Sequence, residues 1–153
     1  MIHKEAWYIE AGEDLKEFES LRRNKLDAME AYVRELSRAG KLKDLPKNQL
    51  VGFAHFGILR GMDLRGADLW GADLREANLQ GADLQEANLR EANLQGANLR
   101  ETNLWGVDLK EANLREANLQ ETNLWGANLR EADLRGASYG PSQLENTVGT
   151  PIT

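Results

Sequence analysis

The side chains that could perform catalysis are few in this sequence. The chain contains no cysteine, and its histidines are His3 and His55. Its serines are Ser20, Ser37, Ser138 and Ser142. No nucleophile, base and acid stand at triad spacing, and two distant histidines do not make a metal site. We therefore expect no enzyme: no catalytic residue, no cofactor and no metal.

Acidic side chains, in contrast, are plentiful and regularly spaced, as a metal or acid–base site would require. Six aspartates occupy one position of a five-residue pattern: Asp63, Asp68, Asp73, Asp83, Asp108 and Asp133. Every twenty residues a glutamate follows a basic residue, in the pairs Arg90–Glu91, Lys110–Glu111 and Arg130–Glu131. Aspartate bonds readily to turn backbone, and neighbouring columns of opposite charge form a solvated ladder. A structural role explains both sets without acid–base catalysis.

Three tryptophans are residues that this pattern does not require, and each stands between a leucine and a glycine. The segment Glu-Thr-Asn-Leu-Trp-Gly at 101–106 recurs at 121–126, so Trp105 and Trp125 should stack if the chain coils with a period of twenty residues. Trp70 should lie on the adjacent face. The indoles either shield the coil edge by stacking on one another or form a protein-contact surface. The candidate contact residues are Trp70, Trp105, Trp125, Arg90, Lys110 and Arg130.

A five-residue repeat organises most of the chain. Leucine occupies every fifth position from Leu64 to Leu134, fifteen times in succession. Alanine stands two positions before each leucine, except where Met62, Thr102, Val107 or Thr122 replaces it, and Asp or Asn stands directly before the leucine. A period of five fits neither an α-helix nor a straight strand, because successive leucines would not share one face. Short extended pieces separated by right-angle bends would point every leucine inward, with four units to a coil.

These A-(D/N)-L-x-x units resemble the pentapeptide repeat family, over about residues 57–141. The resemblance implies a mainly β fold: a right-handed quadrilateral parallel β-helix of about four coils, with leucine and the small residue in the interior. Some members of that family act as DNA mimics that bind DNA gyrase and confer quinolone resistance. An inhibitor or protector of gyrase is therefore the alternative function, which a supercoiling assay would test. A continuously acidic rod would suit that role, whereas the acids here alternate with arginines.

Residues 1–56 follow a helical pattern and are predicted to form an N-terminal cap. Apolar residues recur at three- and four-residue steps within 15–36, which is typical of an amphipathic helix. The phase slips at 22–25, so either one long helix rotates its apolar stripe or two helices meet there. Gly40 is expected to end the helix, and Pro46 to begin a second segment. That segment leads into the first coil. Its histidine, His55, is expected to have a packed or capping role.

The two ends of a parallel β-helix carry unpaired backbone groups that must be covered. The helical segment is expected to cover one end. Four of its aromatic residues should pack on the first coil or on a second subunit, namely Trp7, Tyr8, Phe53 and Phe56. At the other end Tyr139 takes a leucine position, Pro141 stops regular pairing, and the polar tail 142–153 is expected to be loose. A homodimer through the helical cap or the C-terminal coil follows as an expectation.

Charge and hydropathy limit the class of partner. The formal charge is −6; residues 1–56 are neutral, and residues 57–141 carry nine basic and fourteen acidic groups. An acidic chain disfavours direct binding to nucleic acid or to an anionic membrane. No apolar run approaches the ~20 residues of a membrane span, and the start lacks the apolar core of a signal peptide. We therefore expect a cytoplasmic structural or interaction module that presents rigid β-helix faces to a protein partner.

Overall fold

The computed structural model describes residues 15–153, with side chains from residue 20 onward. The expectations for His3, Trp7 and Tyr8 fall outside the described residues. The chain divides into two compact units, Met1–Tyr32 and Val33–Thr153. In the first unit the described residues are helical throughout.

Helix α1 spans Leu15–Arg38. Of the two alternatives for residues 22–25, one continuous helix is the one observed. Gly40, with a φ of 64°, terminates it: its amide donates to the Ser37 carbonyl at 2.9 Å, and the Lys41 amide donates to the Leu36 carbonyl at 2.9 Å. This pair of bonds is the Schellman motif, in which glycine takes the left-handed conformation without steric cost. The predicted role of Gly40 is confirmed.

A short 3₁₀ turn at Leu42–Asp44 and helix α2 at Lys47–His55 follow. Pro46 directly precedes α2, as predicted, because its fixed φ suits the start of a helix. Residues 33–56 include four apolar side chains that are completely buried: Val33, Leu42, Leu50 and Ala54. Phe56 was expected to pack as well but is 63% exposed. It stands two residues beyond Ala54, on the opposite side of the helical path from the buried face.

From residue 57 the chain coils with a period of twenty residues. Asp63 forms a parallel bridge with Asp83, Asp83 with Asn103, and Asn103 with Asn123. Four such bridge positions recur per turn, so each coil has four sides. Within residues 57–153 the bridges are isolated residue pairs rather than continuous strands. The predicted register, with 101–106 stacked on 121–126, is confirmed.

Leucine and small residues fill the interior of the coils. Every leucine of the repeat is at most 2% exposed, and full burial of a leucine stabilises the fold by about 1.5–3 kcal/mol. Two buried threonines stand where most units have alanine. Thr102 Oγ1 donates to the Leu79 carbonyl at 2.9 Å, and Thr122 Oγ1 donates to the Leu119 carbonyl at 2.6 Å. Both hydroxyls are therefore satisfied within the apolar core.

The second residue after each leucine forms the bend between two sides, and its φ is positive. Gly106 and Gly126 have φ values of 64° and 71° there, while eight glutamates, Glu111 among them, have φ values of 56° to 60°. The left-handed conformation costs a non-glycine residue roughly 1–2 kcal/mol. Stacking of the coils therefore holds glutamate in a conformation that the residue alone disfavours.

Residues 33–56 cover the N-terminal edge of the first coil, 57–76. In the inner coils, backbone amides and carbonyls at the equivalent positions bond to the preceding coil. Cap side chains replace that coil through three contacts: Ser37 Oγ with the Asp63 amide (2.7 Å), His55 Nε2 with the Asp73 carbonyl (3.0 Å), and Lys47 Nζ with the Trp70 carbonyl (2.6 Å). The edge is thereby protected, and His55 has the capping role expected of it.

The tail 142–153 is not loose, contrary to expectation. Val148 forms a parallel bridge with Asn128, and Ile152 with Asp133, so the tail adds a further, incomplete turn to the β-helix. The prediction was wrong because it rested on polar composition and on the loss of the leucine pattern. Bridging needs only backbone donors and acceptors opposite an open edge, which a segment of any composition can supply.

Candidate functional site

The groups that could have served catalysis are used elsewhere or stand apart. The only described histidine caps the first coil, as shown above. Among residues 15–153, no three His, Cys, Asp or Glu side chains lie together as metal ligands. In the same part of the chain, none of the helices combines the length and apolarity that a membrane crossing needs.

The regularly spaced aspartates bond to turn backbone and to arginine. Oδ1 of each accepts the amide two residues on, at 3.1 Å for both Asp63 and Asp133. Where that residue is arginine, both carboxylate oxygens bind its guanidinium, in the pairs Asp63–Arg65, Asp73–Arg75 and Asp133–Arg135. These hydrogen bonds lower the pKa of all three carboxyl groups, that of Asp133 to about 2. Acids held ionised in this way are structural.

The basic column Arg90, Lys110 and Arg130 is not a free cationic stripe. Lys110 Nζ lies 3.0 Å from Glu111 Oε1, and Arg90 Nε lies 3.9 Å from Asp108 Oδ2. Arg130 packs so closely on Gly149 that any side chain at 149 would collide with it. By register this column continues from Trp70, one side of the coil away from the other two tryptophans. The six candidate contact residues therefore lie on two adjacent sides of the coil.

Trp70 is bound by its own chain. Lys47 Nζ lies 5.4 Å from the centroid of the indole ring, and it also donates to the Trp70 carbonyl. The indole Nε1 donates to Glu91 Oε1 at 3.4 Å. Although half of the residue is exposed, a cation and a carboxylate already occupy the groups by which it would bind a partner.

Within residues 20–153, no charged side chain binds the indoles of Trp105 and Trp125 as Lys47 and Glu91 bind that of Trp70. Their rings stack with centroids 6.0 Å apart and planes 3° from parallel. Beneath them, Asn123 Nδ2 donates to Asn103 Oδ1 at 3.2 Å, which fixes the two turns in register. Trp105 is 36% exposed and Trp125 is 54% exposed. The stacking predicted from the twenty-residue offset is confirmed, and the pair remains open to solvent.

The two repeat units that carry this pair contain no charged residue, although 29% of the chain is charged. Units 102–106 and 122–126 are both Thr-Asn-Leu-Trp-Gly, and we call them the tryptophan patch. Within residues 62–136 they are the only two uncharged units that stack directly on each other. A Cβ at Gly126 would touch only the backbone of Gly106, at 3.9 Å. The glycine bends therefore leave the indoles unobstructed.

A shallow pocket of about 140 Å³ adjoins the patch at Trp125 and is closed on its other side by the tail. Gln143 Nε2 donates to the Leu119 carbonyl at 2.7 Å, to the Thr122 carbonyl at 2.9 Å and to Thr122 Oγ1 at 2.7 Å. Sequence reasoning missed this pocket because it took the tail to be loose. Thr122 was the available signal, since a hydroxyl at an interior position needs a polar partner.

Comparisons with known proteins agree with the coil geometry. The family described as pentapeptide repeats matches at residues 58–90, 77–115 and 112–138, which together exceed half of the chain. A solved pentapeptide repeat protein from the thylakoid lumen of Arabidopsis thaliana is 35% identical, with a TM-score of 0.54, over 62% of this chain and 63% of that chain. No curated protein sequence matches significantly.

Two further solved structures have lower structural scores. A pentapeptide repeat protein from the cyanobacterium Cyanothece 51142 is 39% identical, with a TM-score of 0.47, over 57% of this chain and 60% of that one. A plasmid-mediated fluoroquinolone resistance protein is 22% identical, with a TM-score of 0.35, over 57% of this chain and 45% of that one. The chain thus spans less than two thirds of each of these solved chains. The leucine core, the twenty-residue bridges and the family match agree: the chain is a β-helix with an N-terminal helix and belongs to the pentapeptide repeat family, whose proteins form right-handed β-helices.

Proposed function

We propose that this protein is a non-enzymatic interaction module, in which a quadrilateral β-helix of about four coils presents the tryptophan patch to a protein partner. The observation that carries the proposal is the stacked, solvent-exposed pair Trp105 and Trp125 in two stacked repeat units that contain no charged residue. Tryptophan is enriched among the residues that dominate binding energy at protein interfaces. Burial of the interior leucines does not depend on the indoles, so the presence of the two tryptophans requires another reason.

Rigidity makes the patch suitable for recognition. Each indole is attached to a coil that is hydrogen-bonded to its neighbours above and below, and the two rings order each other. A partner therefore loses little free energy in ordering these side chains when it binds. The patch is also free of the ion pairs that occupy the other sides, so binding would not have to break them.

The charges on the other sides favour this function over a nucleic-acid mimic. Aspartates at 63, 73 and 133 are each neutralised by an arginine two residues on, and Arg100 lies 2.8 Å from Glu121. A mimic of DNA needs a continuous negative surface.

The homodimer stays a prediction, but one argument for it is weaker, because segments of the chain itself cover both ends of the β-helix.

Site-specific photo-crosslinking in the native host tests the proposal. A benzoylphenylalanine replaces Gln85, which precedes Trp105 by twenty residues and therefore lies beside the patch. The matched control carries it at Gln95, the same unit position on another side of the coil and equally half-buried. We expect a defined protein adduct from position 85 that is absent from position 95. Equal adducts from both positions, or none from position 85, would overturn the proposal.

A second arm links the adduct to the indoles. Combining the crosslinker at position 85 with Trp105→Ala and Trp125→Ala should reduce the adduct at least about tenfold, the effect of losing one strong interface residue. Combining it with Trp70→Ala should leave the adduct unchanged, because Trp70 belongs to another side of the coil. Circular dichroism of each variant establishes that the coils remain folded.

A further inference from the structure

We infer that the tail 142–153 is an autoinhibitory strap on the tryptophan patch: it opens as a unit while the coils stay intact, and the protein partner binds the open form. The inference rests on the proposed function, because it concerns access to the same two indoles. Burial separates the tail from the coils. Each repeat unit within 62–134 buries its leucine and the residue two positions before it, whereas none of residues 142–153 is buried.

Hydrogen bonds, rather than buried side chains of its own, therefore attach the tail. Successive inner coils are bridged on all four sides, but the tail bridges the last coil only at Val148 and Ile152, on two sides. Beside the patch, the Gly126 amide donates to the Asn146 carbonyl at 2.7 Å, and Gln143 binds the Thr122 carbonyl through its side chain. Segments with few buried contacts and exposed hydrogen bonds open before the core does. The tail is thus the part of the β-helix that opens first.

In the closed form the tail obstructs one indole of the patch. Trp105 stacks on one face of Trp125. On the other side the next member of the column is Asn146, because its carbonyl accepts the Gly126 amide. Gln143 and Asn146 line the pocket beside the ring. Interface residues that dominate binding energy are enclosed and desolvated by the partner, so a partner that encloses Trp125 has to displace the tail.

Amide hydrogen exchange of the intact protein, followed by NMR, tests whether the tail opens alone. The Leu129 and Leu134 amides donate to tail carbonyls, at 2.8 and 2.7 Å. The matched controls are Leu109 and Leu114, which donate from the same repeat position to the next complete coil, at 2.9 and 2.8 Å. After correction for intrinsic rates, we expect exchange at least about tenfold faster at 129 and 134, by the same factor at both. Equal protection at all four amides, or fast exchange at only one of the two, would overturn the inference.

A disulfide that holds the tail closed tests whether opening controls binding. The chain has no cysteine, and Asn128 bridges Val148 at the ~4.8 Å spacing of paired strands, which suits a disulfide. Purified Asn128→Cys/Val148→Cys with the crosslinker at position 85 is irradiated in host lysate. The oxidised form should give at least about fivefold less adduct than the reduced form, because the disulfide removes the binding-competent state. The control Asn93→Cys/Asn113→Cys joins two inner coils and should give equal adduct in both redox states.

The outcomes separate this inference from the proposed function. If the adduct depends on the tryptophans but is as strong in the oxidised form as in the reduced form, the inference fails and the proposed function stands. If no adduct forms in either redox state, the proposed function fails, and the inference fails with it even where exchange shows that the tail opens.

Discussion

Trp70 and the pair Trp105–Trp125 occupy the same position of the repeat, yet their surroundings differ. Each follows a leucine and precedes a glycine. Lys47 and Glu91 bind Trp70, so its indole completes the junction between the cap and the first coil. Trp105 and Trp125 bind chiefly each other. The repeat position therefore fixes where an indole points, and the neighbouring coil decides whether it is used within the chain or left for a partner.

The difference lies in residues that surround each indole rather than in the indole itself. Asp68 stands two residues before Trp70, and Arg90 occupies the position of Trp70 one coil later, so charges border that indole. Before Trp105 and Trp125 stand asparagines, and each indole has the other as its neighbour. A tryptophan whose indole is bound by charged groups of its own chain stabilises a junction, whereas an exposed tryptophan without such partners is a typical binding residue.

The largest expected effect comes from the core that both sites share. Leu104 is completely buried directly before Trp105, and Leu104→Ala should reduce the free energy of unfolding by about 2–5 kcal/mol. Denaturant unfolding followed by circular dichroism measures this. Trp105→Ala, one residue away but outward-facing, is the control and should cost much less. Equal losses in the two variants would contradict the separation of core from surface.

A smaller effect is expected from the hydrogen bonds that attach the tail to the patch. Gln143→Leu removes the bonds to Leu119 and Thr122 and should destabilise the protein by about 1–3 kcal/mol, because the Thr122 carbonyl loses this partner, whereas the Leu119 carbonyl keeps the Thr122 hydroxyl. It should also shift the indole resonance of Trp125 and leave that of Trp70 in place. An unchanged Trp125 resonance would show that the tail does not shape the pocket.

Lys47→Met should act on the other site alone. It removes the bond to the Trp70 carbonyl and the cation over the ring, for a loss of about 0.5–1.5 kcal/mol. The Trp70 resonance should move, while those of Trp105 and Trp125 stay unchanged. Gln49→Met, at an exposed position of the same helix, is the control. A shift at all three indoles would contradict the independence of the two sites.

Acidification should produce the smallest effect and again distinguish the two regions. Arg135 lowers the pKa of Asp133 from 3.8 to about 2, and Arg65 and Arg75 lower those of Asp63 and Asp73. Because each pKa is lowered in the folded state, the carboxylates stabilise the fold above pH about 4 and lose that contribution as the pH falls through the lowered pKa of each, which is about 2 for Asp133. The unfolding midpoint should decline over that range, less so in Asp133→Asn.

The tryptophan patch contains no ionisable side chain, so its indole resonances should hold their positions over the same range of pH while the protein stays folded. A titration of the Trp105 or Trp125 resonance with the midpoint of Asp133 would show that the patch is coupled to the charged sides.

Much of this fold was predictable because the repeat is strict. Leucine at every fifth position leaves one way to bury all of these leucines. The recurrence of Thr-Asn-Leu-Trp-Gly sets the register of the coils. Gly40 marks the end of helix α1 because glycine readily adopts a positive φ. Pro46 marks the start of helix α2 because proline has a fixed φ. The stacking of Trp105 on Trp125 follows from the same offset of twenty residues.

The ends of the β-helix were less predictable, since they depend on contacts between residues far apart in sequence. Nothing near Lys47 indicates that it binds Trp70, and nothing near Gln143 indicates that its amide meets Thr122. The twenty-residue offset did separate the columns, since it placed Trp70 on the face adjacent to Trp105 and Trp125, and the register of the coils agrees.

The central claim is that the stacked pair, and not Trp70, binds a protein partner. The most direct measurement is the dissociation constant of the crosslinked partner, determined by calorimetry for the wild type, for Trp105→Ala/Trp125→Ala and for Trp70→Ala. Two strong interface residues predict a loss of at least about 30-fold for the double variant, with Trp70→Ala within about threefold of the wild type. An equal loss in both variants, or no loss in the double variant while it remains folded, would contradict the claim.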